Sequence, residues 1–569
     1  MRKNIPKHLK VFIVDQDYDN YTYVDQACWK FIMKISIDFF KKNADEIYLK
    51  GLQKTGITIN KIPRIQSINS KLSKFGWNAV CVRGFIPPQA FMEFQSLKIL
   101  PIAADMRNHK NLTYTPSPDI VHEASGHAPI IANKDYSNYL INYGEIAAKA
   151  ILSSEDINLY HAIRNLSDIK ENINSTYYRI SKANKKLKDA YNNISYVSES
   201  SLLSRMNWWT VEYGLVGSVK NPKIYGAGLL SSVAESENCL NKNIKKIPFS
   251  LKCTNYTYDI TEQQPQLFVT PNYKFLTKEL KKLSKEMAYK RGGIDGLNTA
   301  IKAKTVCTIE IDNLIQISGI VSNYINSNKN INFIKLIGPS QISINNKQIG
   351  LHGPKYHFHG YSSPLGNLSK YKKPIHKLNK NEVNEAKIKE GNIIFLMFEN
   401  EIVLNGYIKN ILKMNSRIIL ITFTKCTLKY KKQILFEPSW GNYDLICGAK
   451  INSVYGGPAD SNNYYEQIGN EKYNLKKNQQ QKYKTLNRFF KKIHDLKKTK
   501  NNELELFKLY TKMKKDRIND WLLKYEFLEA TNCNRKLPWI NKIFIDLKRQ
   551  SVNKNDLSRA IKRGINIFV

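Results

Sequence analysis

Pro118-Asp119-Ile120-Val121-His122-Glu123-Ala124-Ser125-Gly126-His127-Ala128-Pro129 is the stretch on which the reading of this 569-residue chain turns. Two histidines stand five residues apart, with a carboxylate beside the first and a glycine before the second. In an unbroken α-helix a step of five turns about 140° past one full turn, so the two rings would diverge. The zinc-protease spacing of four keeps both rings on one face. For His122 and His127 to share a metal, the helix is therefore expected to end between them. Gly126 permits that end through a left-handed conformation, and Pro129 keeps the helix from resuming.

Two imidazoles need a further ligand. In Trp208-Trp209-Thr210-Val211-Glu212-Tyr213-Gly214-Leu215 a single carboxylate, Glu212, sits among aromatic and apolar residues. Burying it there is costly unless it is paired, hydrogen-bonded or bound to a metal. Two histidines and one carboxylate with open positions is the facial arrangement of non-haem iron(II) oxygenases. On spacing alone a second reading stands beside it: Glu212 pairs with an arginine and the histidines are core or helix-end residues.

PDIVHEASGHAP (118–129) and WWTVEYGLVGSVKNPKIYGAGLLSSVAESENCL (208–240) resemble the two signature segments of the pterin-dependent aromatic amino acid hydroxylases. The likeness spans roughly residues 10 to 290, about half the sequence. It implies a mainly α catalytic domain of that type, with Fe(2+) on His122, His127 and Glu212. It also implies a tetrahydropterin, tetrahydrobiopterin or a related reduced pterin, as cofactor. The implied reaction is hydroxylation of L-phenylalanine to L-tyrosine with dioxygen. Tyrosine or tryptophan as substrate is the alternative within the family. By the same resemblance the pterin lies against a turn at Phe85 and Ile86, stacks on Phe91 and meets Glu123 through water. Arg107 grips the substrate carboxylate, held by Asp119, while Thr115, Trp208 and Ser231 contact the amino acid. From residue pattern alone Phe91 reads as core and Arg107 as a surface residue. Pro87-Pro88 departs from the family, which has small polar residues there.

Two rival readings come from other classes. A zinc hydrolase would use His122 and His127 with Glu123 as base, and the spacing of five argues against it. A degenerate protein with a binding role is the other, and the intact His122, His127, Glu212, Arg107 and Asp119 argue against that.

Lys+Arg of 88 against Asp+Glu of 48 gives a net charge of +40. The basic residues are spread over the whole sequence and travel with abundant Asn and Ile, a compositional bias rather than a patch. No nucleic-acid partner is expected; the partners are small molecules, namely amino acid, dioxygen and pterin. The eight cysteines are scattered without a CxxC pair and read as reduced thiols. No apolar run approaches a membrane span, and the N-terminus has no apolar stretch of signal length. The expected location is cytoplasmic. No residue pattern sets an oligomeric state.

Cys28, Phe31, Ile32, Ile35 and Phe39 recur at helical spacing, which predicts a helix over 26–50 closed by Gly51. Val80–Val82 reads as a strand, and a helix is expected from Phe91. Gly226-Ala227-Gly228 follows no clear strand and lacks the third glycine of a dinucleotide fingerprint. After about 300, short β-branched segments separated by Gly, Asn and Pro predict a β-rich module. Within it HGPKYHFHGYSSPLG (352–366) is expected to put His357 and His359 on one strand face with no carboxylate near. It reads as a structural or solvated loop. Leu486, Phe489, Phe490, Ile493 and Leu496 then keep helical spacing. The expected division is 1–295 catalytic, 300–465 β-rich and 466–569 helical, with the first part sufficient for chemistry.

Overall fold

Thr22 opens the longest helix, Tyr23–Asn43. Its hydroxyl accepts from the Asp25 backbone N–H while the Asp25 carboxylate accepts from that of Thr22, so two orphan donors are satisfied reciprocally. The computed structural model describes residues 5–109, 112–113, 118–171, 175–260, 262–327, 330–399, 401–468, 484–499, 502–553 and 555–569. The predicted single helix over 26–50 is in fact two. Ala44 is extended, and Asp45 caps a second helix, Glu46–Thr55. Gly51 does not close it. It lies inside this helix, where an added Cβ would sit 2.1 Å from the Pro129 carbonyl oxygen. Gly56, at φ +69°, is the left-handed terminator.

Tyr23–Asn43 buries residues on nearly every side, among them Val24, Cys28, Trp29, Phe31, Ile32, Met33, Ile35 and Phe40. A helix that is apolar all round must be covered all round. The segment beyond residue 484 supplies part of that cover. Phe489, Phe490, Leu522, Tyr525, Phe527, Ile561 and Ile565 join one continuous core with residues 24–287. Phe31 packs edge-on against Trp521 and Tyr525, at centroid distances of 5.0 and 4.7 Å. Lys30, Lys34 and Lys497 converge on Glu529. Arg563 donates to the carbonyls of Ile35 and Val233. The described residues beyond 484 are largely helical, and their apolar faces belong to the core of the first part.

Two small sheets flank these helices. β1 (Asn78–Val82) and β2 (Ile99–Ala103) pair in parallel, with the helix Pro88–Ser96 between them. The strand predicted at 80–82 is there and starts two residues earlier. β3 (Leu215–Ser218), β4 (Asn221–Ile224), β5 (Lys245–Pro248) and β6 (Gln266–Thr270) form a second sheet in the order β4-β3-β6-β5.

The β-rich module begins at β7 (Val306–Ile311) and ends at β17 (Ile451–Gly456). One sheet runs β10-β9-β8-β7-β17, with β8 Ile315–Ser327, β9 Asn330–Ile344 and β10 Lys347–Gln348; β11 (Gly360–Pro364) also pairs with β9. The other runs β12-β13-β14-β15, over Ile393–Met397, Ile402–Met414, Arg417–Tyr430 and Gln433–Phe436, and β16 (Tyr443–Ile446) pairs with β14. Asn345-Asn346 and Asn415-Ser416 make two-residue hairpin turns with positive φ at both positions. Mirror-image turns of this kind match strand twist, and Asn tolerates them. Cys307 pairs with Gly456, so the module's entry and exit lie side by side.

Among the described residues, no helix is long and apolar enough to cross a membrane. All eight cysteines are free thiols.

Candidate metal centre

The segment holding the two histidines does not break, contrary to the expectation from spacing. Val121–His127 is a π-helix that runs directly into the short helix Ala128–Ile131, with Pro129 near the junction. The i→i+5 bonding of a π-helix widens the coil, so residues five apart come to lie over one another. This change of pitch does the work expected of a helix end. Gly126 has no left-handed φ. Its role is close approach, since an added Cβ would lie 2.7 Å from the Ala227 carbonyl oxygen. Glu212 ends a second π-helical turn, Trp208–Glu212.

These turns bring three side chains to one point. His122 Nε2 and His127 Nε2 are 3.1 Å apart. Glu212 Oε2 lies 3.4 Å from the first and Oε1 3.3 Å from the second. Donors about 2.1 Å from a shared ion stand about 3.0–3.4 Å apart for right-angled to tetrahedral bonding, so the trio fits one metal. Glu123 Oε2 is farther, 3.9 Å from His127 Nε2, and is buried without a hydrogen-bond partner.

The neighbouring short helix Ala227–Ser231 orients the trio. Ser231 Oγ donates to the Ala227 carbonyl at 2.8 Å and meets His122 Nδ1 at 2.9 Å. Its one proton being committed, the hydroxyl accepts from Nδ1–H, which leaves Nε2 bare toward the shared point. The Gly228 backbone hydrogen-bonds the Glu212 carboxylate. Burial disfavours the charge on Glu212, but both histidines hold its pKa down at about 2. Burial likewise opposes protonation of His127, yet Glu212 carries its pKa up to about 9. For His122 burial wins, giving about 4, and burial pushes Glu123 up to about 8. A cation at the shared point would replace the proton that Glu212 draws onto His127. Ser231→Ala is expected to weaken metal binding roughly 10- to 100-fold, as loss of a ligand-orienting partner does. A metal-competition titration measures it.

The other expected site residues are placed as follows. Arg107 and Asp119 form a buried bidentate pair, Nε to Oδ2 at 2.7 Å and Nη2 to Oδ1 at 2.9 Å. Asp119 also accepts from the His122 backbone N–H, and Arg107 Nη1 donates to the Ser231 carbonyl at 3.0 Å. Far from a surface residue, Arg107 is tied into the metal segment, and most of its fork is engaged. Trp208 stacks between Tyr213 and Tyr258, at 4.5 and 4.3 Å, so both ring faces are covered. Phe85 and Ile86 lie on the turn after β1. Ile86 packs on a small apolar cluster with Ile5, Leu9 and Phe12. Phe91 is half-buried in the helix Pro88–Ser96. Thr115 lies outside the described residues. A cleft of about 1340 Å³ opens elsewhere, between the N-terminal segment, the helix Ser154–Glu171 and β17, and none of the three ligands lines it.

Sequence reasoning missed Gly228 on Glu212, the Tyr213 and Tyr258 stack, and His109. The last joins the loop before the metal segment to Asp520 of the C-terminal helices at 3.0 Å. No local pattern marks such contacts.

A sequence model of the family described as biopterin-dependent aromatic amino acid hydroxylase matches residues 16–160 and 195–292. Over these two segments the chain is similar to that family. The phenylalanine-4-hydroxylase of Mesorhizobium japonicum is 27% identical over 266 residues, covering 46% of this chain and 80% of its own. That of Chromobacterium violaceum is 27% identical over 268 residues, covering 47% and 75%. The crystal structure of the latter organism's enzyme with iron(III) and 7,8-dihydrobiopterin is 25% identical, covers 48% of this chain and 85% of that one, and has a TM-score of 0.39. The stretch between the matched segments, 161–194, includes most of two packed helices, Ser154–Glu171 and Tyr177–Asn192.

Proposed function

We propose that this protein is an iron(II)- and tetrahydropterin-dependent phenylalanine 4-monooxygenase that converts L-phenylalanine to L-tyrosine with dioxygen. The observation that carries the proposal is the convergence of His122, His127 and Glu212 on one point within the family-matched segment. When bound, iron and the reduced pterin supply the activation of dioxygen, one oxygen atom going to the ring and the other to the pterin. The protein's own part is positional. His122, His127 and Glu212 would hold the metal as its protein ligands. Ser231 sets the tautomer of His122, and Gly228 steadies Glu212. The catalytic fold is of the hydroxylase type, mainly α, and the eight free thiols support a cytoplasmic location.

Incubation with iron(II), a tetrahydropterin and each of phenylalanine, tyrosine and tryptophan, followed by product identification, tests this. Tyrosine formed from phenylalanine is the expected result. A hydroxylated product from tyrosine or tryptophan alone would reassign the substrate, and hydrolytic activity with zinc would move the protein to another class.

Arg107 is assigned to the substrate carboxylate, held by Asp119. The family pattern supports this, and the observed pair sets its terms. With Nε and one Nη2 hydrogen on Asp119, the approach open to substrate is through the rest of Nη2, or through Nη1 in place of its long 3.4 Å contact to the Leu112 carbonyl. Lysine keeps the charge but has no fork to span Asp119 and substrate together. Arg107→Lys is therefore expected to lose about 1.5–3 kcal/mol of charge-assisted bonding, roughly 10- to 150-fold in kcat/KM. The loss should fall on KM for phenylalanine, with that for pterin little changed. Steady-state kinetics with each substrate varied in turn separates the two. Phe85, Ile86 and Phe91 are assigned to the pterin and Glu123 to its water-mediated contact. Thr115 and Trp208 are assigned to the amino acid.

We also propose that the catalytic unit comprises residues 5–292 together with 484–569, the β-rich module being inserted between them. The shared apolar core supports this division.

A further inference from the structure

We propose that His352, His357 and Asp444 form a second metal site, for a divalent ion of the zinc class, that fastens the two sheets of the β-rich module to each other. The sequence places no carboxylate near these histidines, and the fold supplies one. The stretch around them is a turn rather than a strand, so His357 and His359 share no face. His359 is exposed, and His357 turns inward. Both inward histidines are anchored to β9 of the first sheet. The Ile342 N–H donates to the His352 carbonyl at 2.9 Å, and the Ser340 N–H to that of His357 at 3.0 Å. Asp444 comes from β16 of the second sheet, opposite Thr422 of β14.

His352 Nδ1, His357 Nε2 and a carboxylate oxygen of Asp444 all lie within 4.8 Å of one another. The two nitrogens are 3.2 Å apart, close to the edge of about 3.3 Å expected around a tetrahedral ion with bonds near 2.0–2.1 Å. Asp444 Oδ2 stands 3.8 Å from His352 Nδ1. Its other oxygen accepts from Thr422 Oγ1 at 2.6 Å, and its backbone carbonyl accepts from the Tyr361 hydroxyl at 2.7 Å, so the carboxylate is held in place from outside the cluster. The Tyr356 ring closes one side, 4.8 Å from the His357 ring.

Burial of the carboxylate adds to this geometry. The Asp444 side chain is 2% exposed. Among the described residues no lysine or arginine lies within 4.0 Å of it. Its facing groups are the His352 and His357 imidazoles and the Tyr356 side chain. A buried carboxylate with no lysine or arginine beside it is expensive, and a divalent cation held by all three removes that cost. Two nitrogens and one oxygen on a tetrahedral pattern leave a fourth position for water.

The test uses the full-length protein with its other metal site disabled, His122→Ala/Glu212→Ala, stripped with chelator and titrated with zinc against a chromogenic chelator. One zinc per molecule is expected. His357→Ala and Asp444→Asn in that background should each abolish it. Thr422→Val, which alters no ligand, should weaken it roughly tenfold or more, and His359→Ala should leave it unchanged. Should a ligand variant fail to fold, Thr422→Val decides. Should the starting double variant fail to fold, iron-saturated wild type is titrated instead and must take one further zinc. Absence of a stoichiometric zinc, or equal affinity in His357→Ala, Asp444→Asn and Thr422→Val, would overturn the proposal and leave a hydrogen-bonded histidine pair.

Discussion

Glu212→Ala is expected to abolish stoichiometric iron and turnover together while the protein stays folded. The two histidines alone present neutral nitrogens 3.1 Å apart, and the only negative charge within 3.4 Å of both, among the described residues, is Glu212. Its loss removes a ligand and the charge that offsets desolvation of the cation. Loss of a mere supporting partner costs roughly 10–100-fold in metal affinity or activity, so loss of the ligand should exceed about 100-fold. Glu212→Gln keeps the shape but not the charge and should behave nearly as badly, which separates electrostatics from packing. His122→Ala should match it. Iron content measured beside circular dichroism settles the matter. A folded His122→Ala/Glu212→Ala double variant that keeps one iron per molecule would exclude this site.

A fragment ending at residue 295 is expected to aggregate or to lack fixed tertiary structure, although every family-matched residue lies before that point. Truncation strips one side of Tyr23–Asn43. Phe31 loses Trp521 and Tyr525, and it loses the close backbone approach at Gly564, where an added Cβ would lie 2.6 Å from the Phe31 ring. Lys30 and Lys34 lose Glu529, and the carbonyls of Ile35 and Val233 lose Arg563. Each large apolar side chain uncovered costs about 1.5–3 kcal/mol, so three or four consume about 5–12 kcal/mol, much of the 5–15 kcal/mol that holds a folded domain. The complementary deletion removes residues 293–457 and joins the ends by a flexible linker. It keeps those partners and is expected to retain iron. Near-ultraviolet circular dichroism and iron content on the two proteins discriminate between the divisions. A folded, iron-binding, active 1–295 fragment would restore the simpler one.

The sequence by itself singled out His122, His127 and Glu212 as the candidate trio. Glu212 stood out as a lone carboxylate among aromatic and apolar residues, His122 and His127 as a close pair beside Gly126, and two long motifs carry all three. Helical and strand-rich regions were legible too, since the period of burial is written along the sequence. What only the tertiary structure decided is how the trio is brought together. Spacing of five admits either a broken helix or a π-helix, and the choice rests on packing such as that of Gly126 against Ala227, 101 residues away in sequence. Distance along the sequence also hid Asp444 from His352 and His357, and Glu529 from Lys30. The helix Tyr23–Asn43 signalled through its all-round hydrophobicity that something must cover it. Which segment covers it was set by long-range burial, which is non-directional and leaves no local mark on either partner.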